Sequence, residues 1–191
     1  MPKPDLSRFY PLQIAVLTVS DSRSSGNYNT SDSSGDLLCT LLQSADHQLV
    51  DRALLPNNKY QLRATLSQWI ASDTIQVVLI NGGTGFHHTN CAVEALTPLL
   101  DSPVPGFGEL FRLLSFNQLG SAALQSGALA GLANGTLIFA MPSSGSACTL
   151  AMQQLILPQL DSRTGPCNFV AHIKSNFVAH VKNSPSQSCG A

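Results

Sequence analysis

The chain has 191 residues, a formal net charge of −1, 11% charged residues and 43% hydrophobic residues. This length predicts one domain with a sizeable core, and the lack of a Lys/Arg cluster excludes the basic footprint of a nucleic-acid or anionic-membrane binder. So few charges would leave more apolar surface than monomers usually expose, which predicts a homo-oligomer with part of the surface covered by identical subunits.

The first predicted elements are a buried strand and an amphipathic helix. Gln13–Val19 is a continuous apolar run rich in β-branched residues, typical of a strand buried on both faces. After the polar loop Ser20–Gly35, leucines recur on one face of a predicted helix, Asp36–Ala45. His47–Leu55 then predicts a second strand.

A second helix and the clearest strand of the chain follow. Asn57 or Asn58 is a candidate N-cap for a helix over Lys59–Ser72. Ile75–Ile80 predicts a buried strand that runs directly into Asn81–Gly85, with the sequence NGGTG. The strand is therefore expected to end in a glycine turn.

The second half of the chain continues the alternation. Helices are predicted at Ala92–Leu100 and Glu109–Asn117, and the small residues of Ser121–Ala133 favour close packing against a helix. Thr136–Met141 predicts another central strand, followed by a turn and a helix over Ala147–Ile156. The alternation predicts an α/β fold with three layers, in which a mainly parallel central sheet carries helices on both faces.

The cysteines and both ends of the chain bear on location and domain limits. The five cysteines are widely spaced without a C-x-x-C motif, which favours reduced thiols, and the start has too short an apolar run for a signal peptide or membrane span. We therefore expect a cytoplasmic protein. Asn168–Lys174 (NFVAHIK) recurs as Asn176–Lys182 (NFVAHVK). We expect the domain to span residues 1–175 and residues 176–191 to form a flexible tail.

Three loops are expected at the carboxyl ends of the strands, where ligands bind in an open parallel sheet. They are Ser20–Gly35, Gly82–Asn90 and Pro142–Ser146. Their glycines and helix N-termini can present several N–H donors to one anion, which favours a phosphorylated ligand. A tight strand-to-helix turn also needs glycine for steric reasons, so the turn alone does not decide between binding and structure.

The amino-acid sequences of these loops resemble those of a known family. The matching residues, in order, are Val19 to Arg23, Asp32 to Gly35, Gly82 to Gly85, Glu94 and Ala95, Gly106 to Glu109, Phe111 and Arg112, Ser115, Pro142 and Ala147. Over about residues 10–175 their order and spacing resemble the molybdenum cofactor biosynthesis protein B family.

The resemblance implies a compact α/β protein that assembles as a trimer or hexamer and binds molybdopterin through its phosphate. Adenylyltransferase relatives use magnesium and ATP, which would be cofactors here only if this chain transfers adenylyl groups. The resemblance also implies a set of site residues. The catalytic candidates are Asp21, Asp32 and Asn90, and the substrate-binding candidates are Ser20, Gly82, Gly83, Thr84, Gly85, Glu94, Glu109, Pro142, Ser143 and Ser144.

Three positions depart from the family pattern. Asn90 stands where the family carries an aspartate, so magnesium affinity and charge neutralisation at a transferring phosphoryl group should fall. Ser146 replaces the lysine of the last loop. Gly127 replaces a basic residue that in the family usually follows the serine matched here by Ser126. These changes predict weak or absent adenylyl transfer.

Other residues have competing interpretations. His87 and His88 with Cys91 have spacing suitable for metal ligands, although solvated loop histidines are the commoner case, and the sequence leaves the metal unknown. Asp21 and Asp32 are also suited to turns and caps, and Glu109 to a first helical turn. The leading hypothesis is a molybdopterin-binding protein of cofactor assembly. The alternatives are an active molybdopterin adenylyltransferase and a noncatalytic scaffolding oligomer.

Overall fold

The structure, a computed structural model, describes residues 8–24 and 31–174. Its centre is a six-stranded sheet in the order β2-β1-β3-β6-β5-β4. The strands are β1 (Gln13–Val19), β2 (Gln48–Leu55), β3 (Val77–Asn81), β4 (Ser102–Pro103), β5 (Leu129–Ala133) and β6 (Thr136–Met141). Strands β2, β1, β3 and β6 are mutually parallel, whereas β5 is antiparallel to β6 and β4 is antiparallel to β5. The predicted mainly parallel sheet is confirmed, with an antiparallel edge.

Helices cover both faces of the sheet. They are α1 (Asp21–Ser24), α2 (Ser33–Ser44), α3 (Lys59–Ala71), α4 (Ala92–Leu96), α5 (Pro105–Leu119), α6 (Gly145–Leu150) and α7 (Leu157–Leu160). A π-helical segment, Ala151–Ile156, joins α6 to α7. Short 3₁₀ segments lie at Thr97–Leu99, Gly120–Gln125 and Phe169–Ala171. Within residues 8–24 and 31–174, none of these helices has the length and apolar character to span a membrane.

Alternating side chains of the central strands divide the core into two layers. Val77 and Leu79 of β3 pack in one layer with residues of α2, α5 and α6, whereas Val78 and Ile80 pack in the other with residues of α3 and α4. All four of these side chains are buried. The parallel strands therefore need apolar residues at successive positions rather than at alternate ones, which explains their continuous apolar runs. The three-layer prediction is confirmed.

Several boundaries differ from the sequence prediction for identifiable reasons. Helix α2 begins earlier than predicted because Asp32 caps it, accepting a hydrogen bond from Gly35 N at 3.0 Å. Helix α5 begins at Pro105, which has no N–H to leave unpaired in a first turn. The N-cap of α3 is Asn58, whose Oδ1 accepts from Tyr60 N and Gln61 N.

The small-residue stretch was only partly understood from the sequence. Close packing against a helix is present, since a Cβ on Gly108 of α5 would lie 2.6 Å from the Ala128 carbonyl oxygen. The end of the stretch is nevertheless strand β5, which no sequence prediction included. Asn134 and Gly135 form the turn to β6 with φ of 47° and 70°. An Asn-Gly pair is a strong hairpin signal, so the strand had a local marker.

The ends of the chain bear on the predicted domain limits. Residues 168–174 pack against the domain, with Val170 buried and Gln76 Nε2 donating to the Lys174 carbonyl oxygen at 3.0 Å. The predicted flexible tail and the second NFVAH unit lie outside the described residues. The domain limits therefore stay a prediction.

Candidate binding cleft

A cleft opens where the strand order changes direction, between β1 and β3. In the sheet, β1 has β2, the next strand in the sequence, on one side and β3 on the other. Strand β3 in turn pairs with β6 on its far side. Thr18 is level with Asn81, and Asn81 is level with Met141, so the loops after the three strands leave the same edge. Such a switch point is where open parallel sheets bind ligands.

The first cleft has a volume of about 430 Å³ and is lined by polar side chains and glycines. Nine residues predicted from the sequence line it, namely Ser20, Asp21, Gly82, Gly83, Thr84, Gly85, Asn90, Pro142 and Ser143. The fold thus brings together the ends of three strands that are far apart in sequence, as the loop pattern predicted.

A second cleft of about 250 Å³ adjoins the first and shares Thr84, Gly85 and Pro142 with it. Ser144, the remaining predicted residue of that loop, lies here. The other walls are mixed in character and include Phe111, Leu119, Leu150, Ser115, Gln118 and Gln125. A ligand with a phosphate in the first cleft could therefore place a flat, partly apolar group in the second.

The glycine turn after β3 has a backbone that other residues adopt with strain. Gly82 has φ of 88° and Gly83 has φ of 64°. A Cβ on Gly82 would lie 2.3 Å from the Val19 carbonyl oxygen, and one on Gly83 would lie 2.6 Å from Asn57 Oδ1. Both glycines are therefore required by the structure itself, and their presence alone is not evidence for a ligand.

Asp21 is the one carboxylate among the described residues that line the first cleft. Its Oδ1 accepts from Asn57 N at 2.7 Å, and its Oδ2 accepts from Asn57 Nδ2 at 2.9 Å. These hydrogen bonds from the Asn57 side chain and backbone lower the pKa of Asp21. Asp21 is therefore held as an anion whose oxygens already have donors.

Two buried oxygens at the cleft have no partner among the described residues. They are Thr84 Oγ1, on a residue that is 6% exposed, and Asn57 Oδ1. An unsatisfied buried polar group costs about 1–3 kcal/mol. Thr84 lines both clefts, so the unpartnered hydroxyl belongs to a residue at their junction, where the residues present fit a polar ligand.

Three predicted site residues line neither cleft. Besides capping α2, Asp32 accepts from Thr18 Oγ1 at 2.8 Å and forms an ion pair with Arg52 at 2.7 Å. Glu94 pairs with Lys59 at 2.6 Å, which lowers the pKa of Glu94. Glu109 is exposed within α5, beyond its first turn. The fold does not bring these three carboxylates to the residues of the clefts.

The two arginines that follow the family pattern, Arg23 and Arg112, contact residues outside the clefts. Arg23 donates to Ser34 Oγ at 3.3 Å and lies 3.9 Å from Asp32, while Arg112 lies beside Gly108 in α5. No Lys or Arg among residues 8–24 and 31–174 lines either cleft. An anion bound there would be held by neutral donors.

Comparisons with known proteins show the family to which the chain belongs. A family described as "Probable molybdopterin binding domain" matches residues 15–162. Molybdenum cofactor biosynthesis protein B of Escherichia coli (strain K12) is 52% identical over 168 residues, covering 88% of this chain and 96% of that protein. The chain belongs to this family. The Bacillus subtilis (strain 168) protein B is 38% identical over 146 residues, covering 76% of this chain and 84% of that protein.

Solved structures of the protein B family share the fold. A crystal structure of molybdenum cofactor biosynthesis protein B superposes with a TM-score of 0.73 at 35% identity, covering 79% of this chain and 92% of that one. The structure of the tungsten cofactor synthesizing protein MoaB from Pyrococcus furiosus superposes with a TM-score of 0.69 at 29% identity, covering 75% of this chain and 89% of that one.

The departures from the protein B pattern can now be located. Asn90 lies in the first cleft and Ser146 in the second. Gly127 packs so closely that an added Cβ would lie 1.7 Å from the Thr84 carbonyl oxygen. A basic side chain at this position would therefore require Thr84 to move. His87 and His88 stack with ring centroids 4.4 Å apart, but the part of the chain that the structure describes holds no group of three metal-ligating side chains.

The sequence interpretation missed some lining residues. In the first cleft these are Val19, Ser22, Asn57 and Thr89, and in the second they include Phe111, Gln118 and Gln125. Asn57 could have been found, since it follows the carboxyl end of a parallel strand, where crevice residues are expected. Phe111 and Ser115 of α5 follow the family pattern, whereas Gln118 carried no signal, because an amphipathic helix by itself does not indicate which side chain borders a cavity.

Proposed function

We propose that this member of the protein B family binds molybdopterin, with its phosphate in the first cleft, and acts in cofactor assembly with weak or absent adenylyl transfer. The observation that carries the proposal is the buried, unpartnered Thr84 hydroxyl, on a residue that lines both clefts. A phosphate oxygen can accept from that hydroxyl and from the N–H groups of a glycine turn.

The weak transfer follows from the charges that line the cleft. Adenylyl transfer places negative charge on phosphoryl oxygens, and magnesium and basic side chains usually neutralise it. Here Asp21 is the one lining carboxylate, and both its oxygens accept from Asn57. Asn90 offers a neutral carbonyl oxygen, which is a poorer magnesium ligand than a carboxylate. Magnesium and ATP are therefore not expected to bind productively.

The first test is adenylyl transfer by the purified protein, measured as AMP-bound molybdopterin formed from molybdopterin, ATP and magnesium. Molybdopterin binding is measured on the same preparation, and an active adenylyltransferase serves as the positive control. Binding without transfer supports the proposal. Efficient transfer supports the alternative of an active enzyme. The absence of both binding and transfer supports a scaffolding oligomer.

Asn90→Asp tests the residue on which the weak transfer depends. Restored transfer would show that the amide is the limiting change, whereas no gain would place the limit at Ser146 or Gly127. Gln68→Glu is the matched control, because it makes the same amide-to-carboxylate change on an exposed part of α3 that lines neither cleft. Efficient transfer by the unmodified protein would contradict the role assigned to Asn90.

The proposal includes assembly of the protein with itself in the cytoplasm. Helix α5 carries exposed apolar side chains at Leu110, Leu113, Phe116 and Leu119, between 50% and 61% exposed. With only 11% charged residues in the chain, this row supports a homo-oligomer, either a trimer or a hexamer, in which identical subunits cover it.

A further inference from the structure

A chain of side-chain hydrogen bonds runs from Arg23 to Asp32 and includes Asn81, the residue that precedes the glycine turn. Arg23 Nη1 donates to Ser34 Oγ at 3.3 Å, and Ser34 Oγ donates to Asn81 Oδ1 at 2.8 Å. Asn81 Nδ2 donates to Thr18 Oγ1 at 2.9 Å, and Thr18 Oγ1 donates to Asp32 Oδ2 at 2.8 Å. Every bond points the same way, from a guanidinium donor to a carboxylate acceptor.

The middle of this chain is shielded from water. Thr18 and Asn81 are 0% exposed, and Ser34 is 3% exposed. In such surroundings aligned hydrogen bonds polarise one another, and a lost partner leaves a buried polar group unsatisfied. Turning the Asn81 amide over would break its bonds to both Ser34 and Thr18. The charged ends of the chain therefore fix the orientation of Asn81.

Both walls of the first cleft depend on residues in this chain. Asn81 ends β3 and is bonded covalently to Gly82, whose N donates to the Met141 carbonyl oxygen at 3.0 Å. Thr18 precedes Val19, whose carbonyl oxygen lies against Gly82 so closely that a Cβ there would be 2.3 Å away. A shift of Asn81 or Thr18 would therefore move the start of the glycine turn.

We propose that Asp32 is a positioning residue, which acts on the turn Gly82–Gly85 through Thr18 and Asn81. It lines neither cleft, so it influences a bound phosphate only through the residues between them. Its effect on binding rests on the proposed function, whereas its effect on the turn does not. This role explains why a carboxylate outside the cleft follows the family pattern at this position.

A neighbouring carboxylate provides the matched control. Arg52 pairs with Asp32 at 2.7 Å and with Asp36 also at 2.7 Å. Asp36 lies in the first turn of α2, its side chain is 59% exposed, and none of its oxygens joins the chain of hydrogen bonds. Asp36→Asn therefore removes a similar charge from Arg52 and leaves Thr18 and Asn81 in place.

The experiment compares Thr18→Val, Thr18→Ser, Asp32→Asn and Asp36→Asn. Amide hydrogen exchange of the turn Gly82–Gly85 is measured in the ligand-free protein, and the dissociation constant for molybdopterin is measured separately. We expect Thr18→Val and Asp32→Asn to speed exchange of the turn and to weaken binding on the order of tenfold. Thr18→Ser, which keeps the hydroxyl, and Asp36→Asn should stay within about twofold of the unmodified protein.

The two readouts separate the two proposals. Faster exchange in the turn for Thr18→Val and Asp32→Asn, with no molybdopterin binding by the unmodified protein or by any variant, would support the positioning role and reject the proposed function. Unchanged exchange of the turn in a folded Asp32→Asn protein would overturn the positioning role, as would equal changes for Asp36→Asn. If Thr18→Val does not fold, Asp32→Asn and Thr18→Ser still decide the question.

Discussion

The contact between Gly127 and Thr84 leads to a sharp prediction for Gly127→Ala. An added Cβ would lie 1.7 Å from the Thr84 carbonyl oxygen and 3.1 Å from its Cβ. The φ of Gly127 is not in the left-handed region, so the effect comes from the contact and not from backbone strain. Overpacking destabilises proteins by about 1–3 kcal/mol, and a carbonyl cannot rotate away as a side chain can. We expect the free energy of unfolding to fall by about 3 kcal/mol.

The measurement is equilibrium urea unfolding at one fixed protein concentration. Gly106→Ala is the control, because Gly106 lies in α5 and a Cβ there would meet no heavy atom within 4 Å. That variant should be neutral or more stable by up to about 1 kcal/mol, since alanine favours helix more than glycine does. The same chemical change should therefore have opposite signs at the two positions.

Gly127→Ala should also affect the cleft. Because Thr84 lines both clefts, moving its backbone should also weaken molybdopterin binding in Gly127→Ala. A Gly127→Ala protein as stable as the unmodified one would refute the close contact. It would also remove the reason given for why a basic residue at this position requires Thr84 to move.

Three further predictions concern titration and assembly. Burial lowers the pKa of His47 to about 4, so between about pH 6.5 and pH 4 the unfolded chain binds more protons than the folded protein. The free energy of unfolding should therefore fall by about 3 kcal/mol as pH decreases through that window. His47→Asn should reduce this dependence of the free energy of unfolding on pH, measured by urea unfolding. Asn57→Ala should raise the pKa of Asp21 toward its ordinary value, measured by NMR titration, because the side-chain hydrogen bond that favours the anion is lost while the backbone N–H of residue 57 still donates. The contribution of that bond to stability is present above the ordinary carboxyl pKa and is lost as pH falls through the lowered one. Phe116→Asp should shift the protein toward monomers in sedimentation velocity, since the exposed row of α5 would then carry a charge.

Each of these has an outcome that would contradict it. A pH profile of stability unchanged by His47→Asn would place the acid sensitivity elsewhere. An Asp21 pKa unaffected by Asn57→Ala would mean that the hydrogen bond from Asn57 Nδ2 does not form in solution. An unmodified protein that sediments as a monomer would reject the proposed oligomer, and an oligomer unaffected by Phe116→Asp would place the interface on another surface.

Much of the fold follows from local sequence patterns. Gln13–Val19 and Thr136–Met141 are strands with the predicted bounds, because a strand covered on both faces needs a continuous apolar run. Helix α3 begins at the predicted residue, because Asn58 supplies the cap. In each case the residues that determine the element lie within it or next to it.

Strand β5 shows where local patterns stop. Leu129–Ala133 consists of small and apolar residues without a clear period, and it becomes a strand because it pairs with β6 and β4. Gly131 has no room for a side chain, since a Cβ would lie 2.7 Å from Leu100. Both facts concern residues that the chain brings together only on folding.

The site divides in the same way. The sequence by itself determined which loops carry the cleft, because parallel strands end at one edge and their turns need glycine. Only the tertiary structure decided that Asp32 pairs with Arg52, that Glu94 pairs with Lys59 and that Gly127 lies against Thr84. The physical reason is that a carboxylate serves a cap, an ion pair or a ligand equally well, and the neighbours supplied by distant segments select among these.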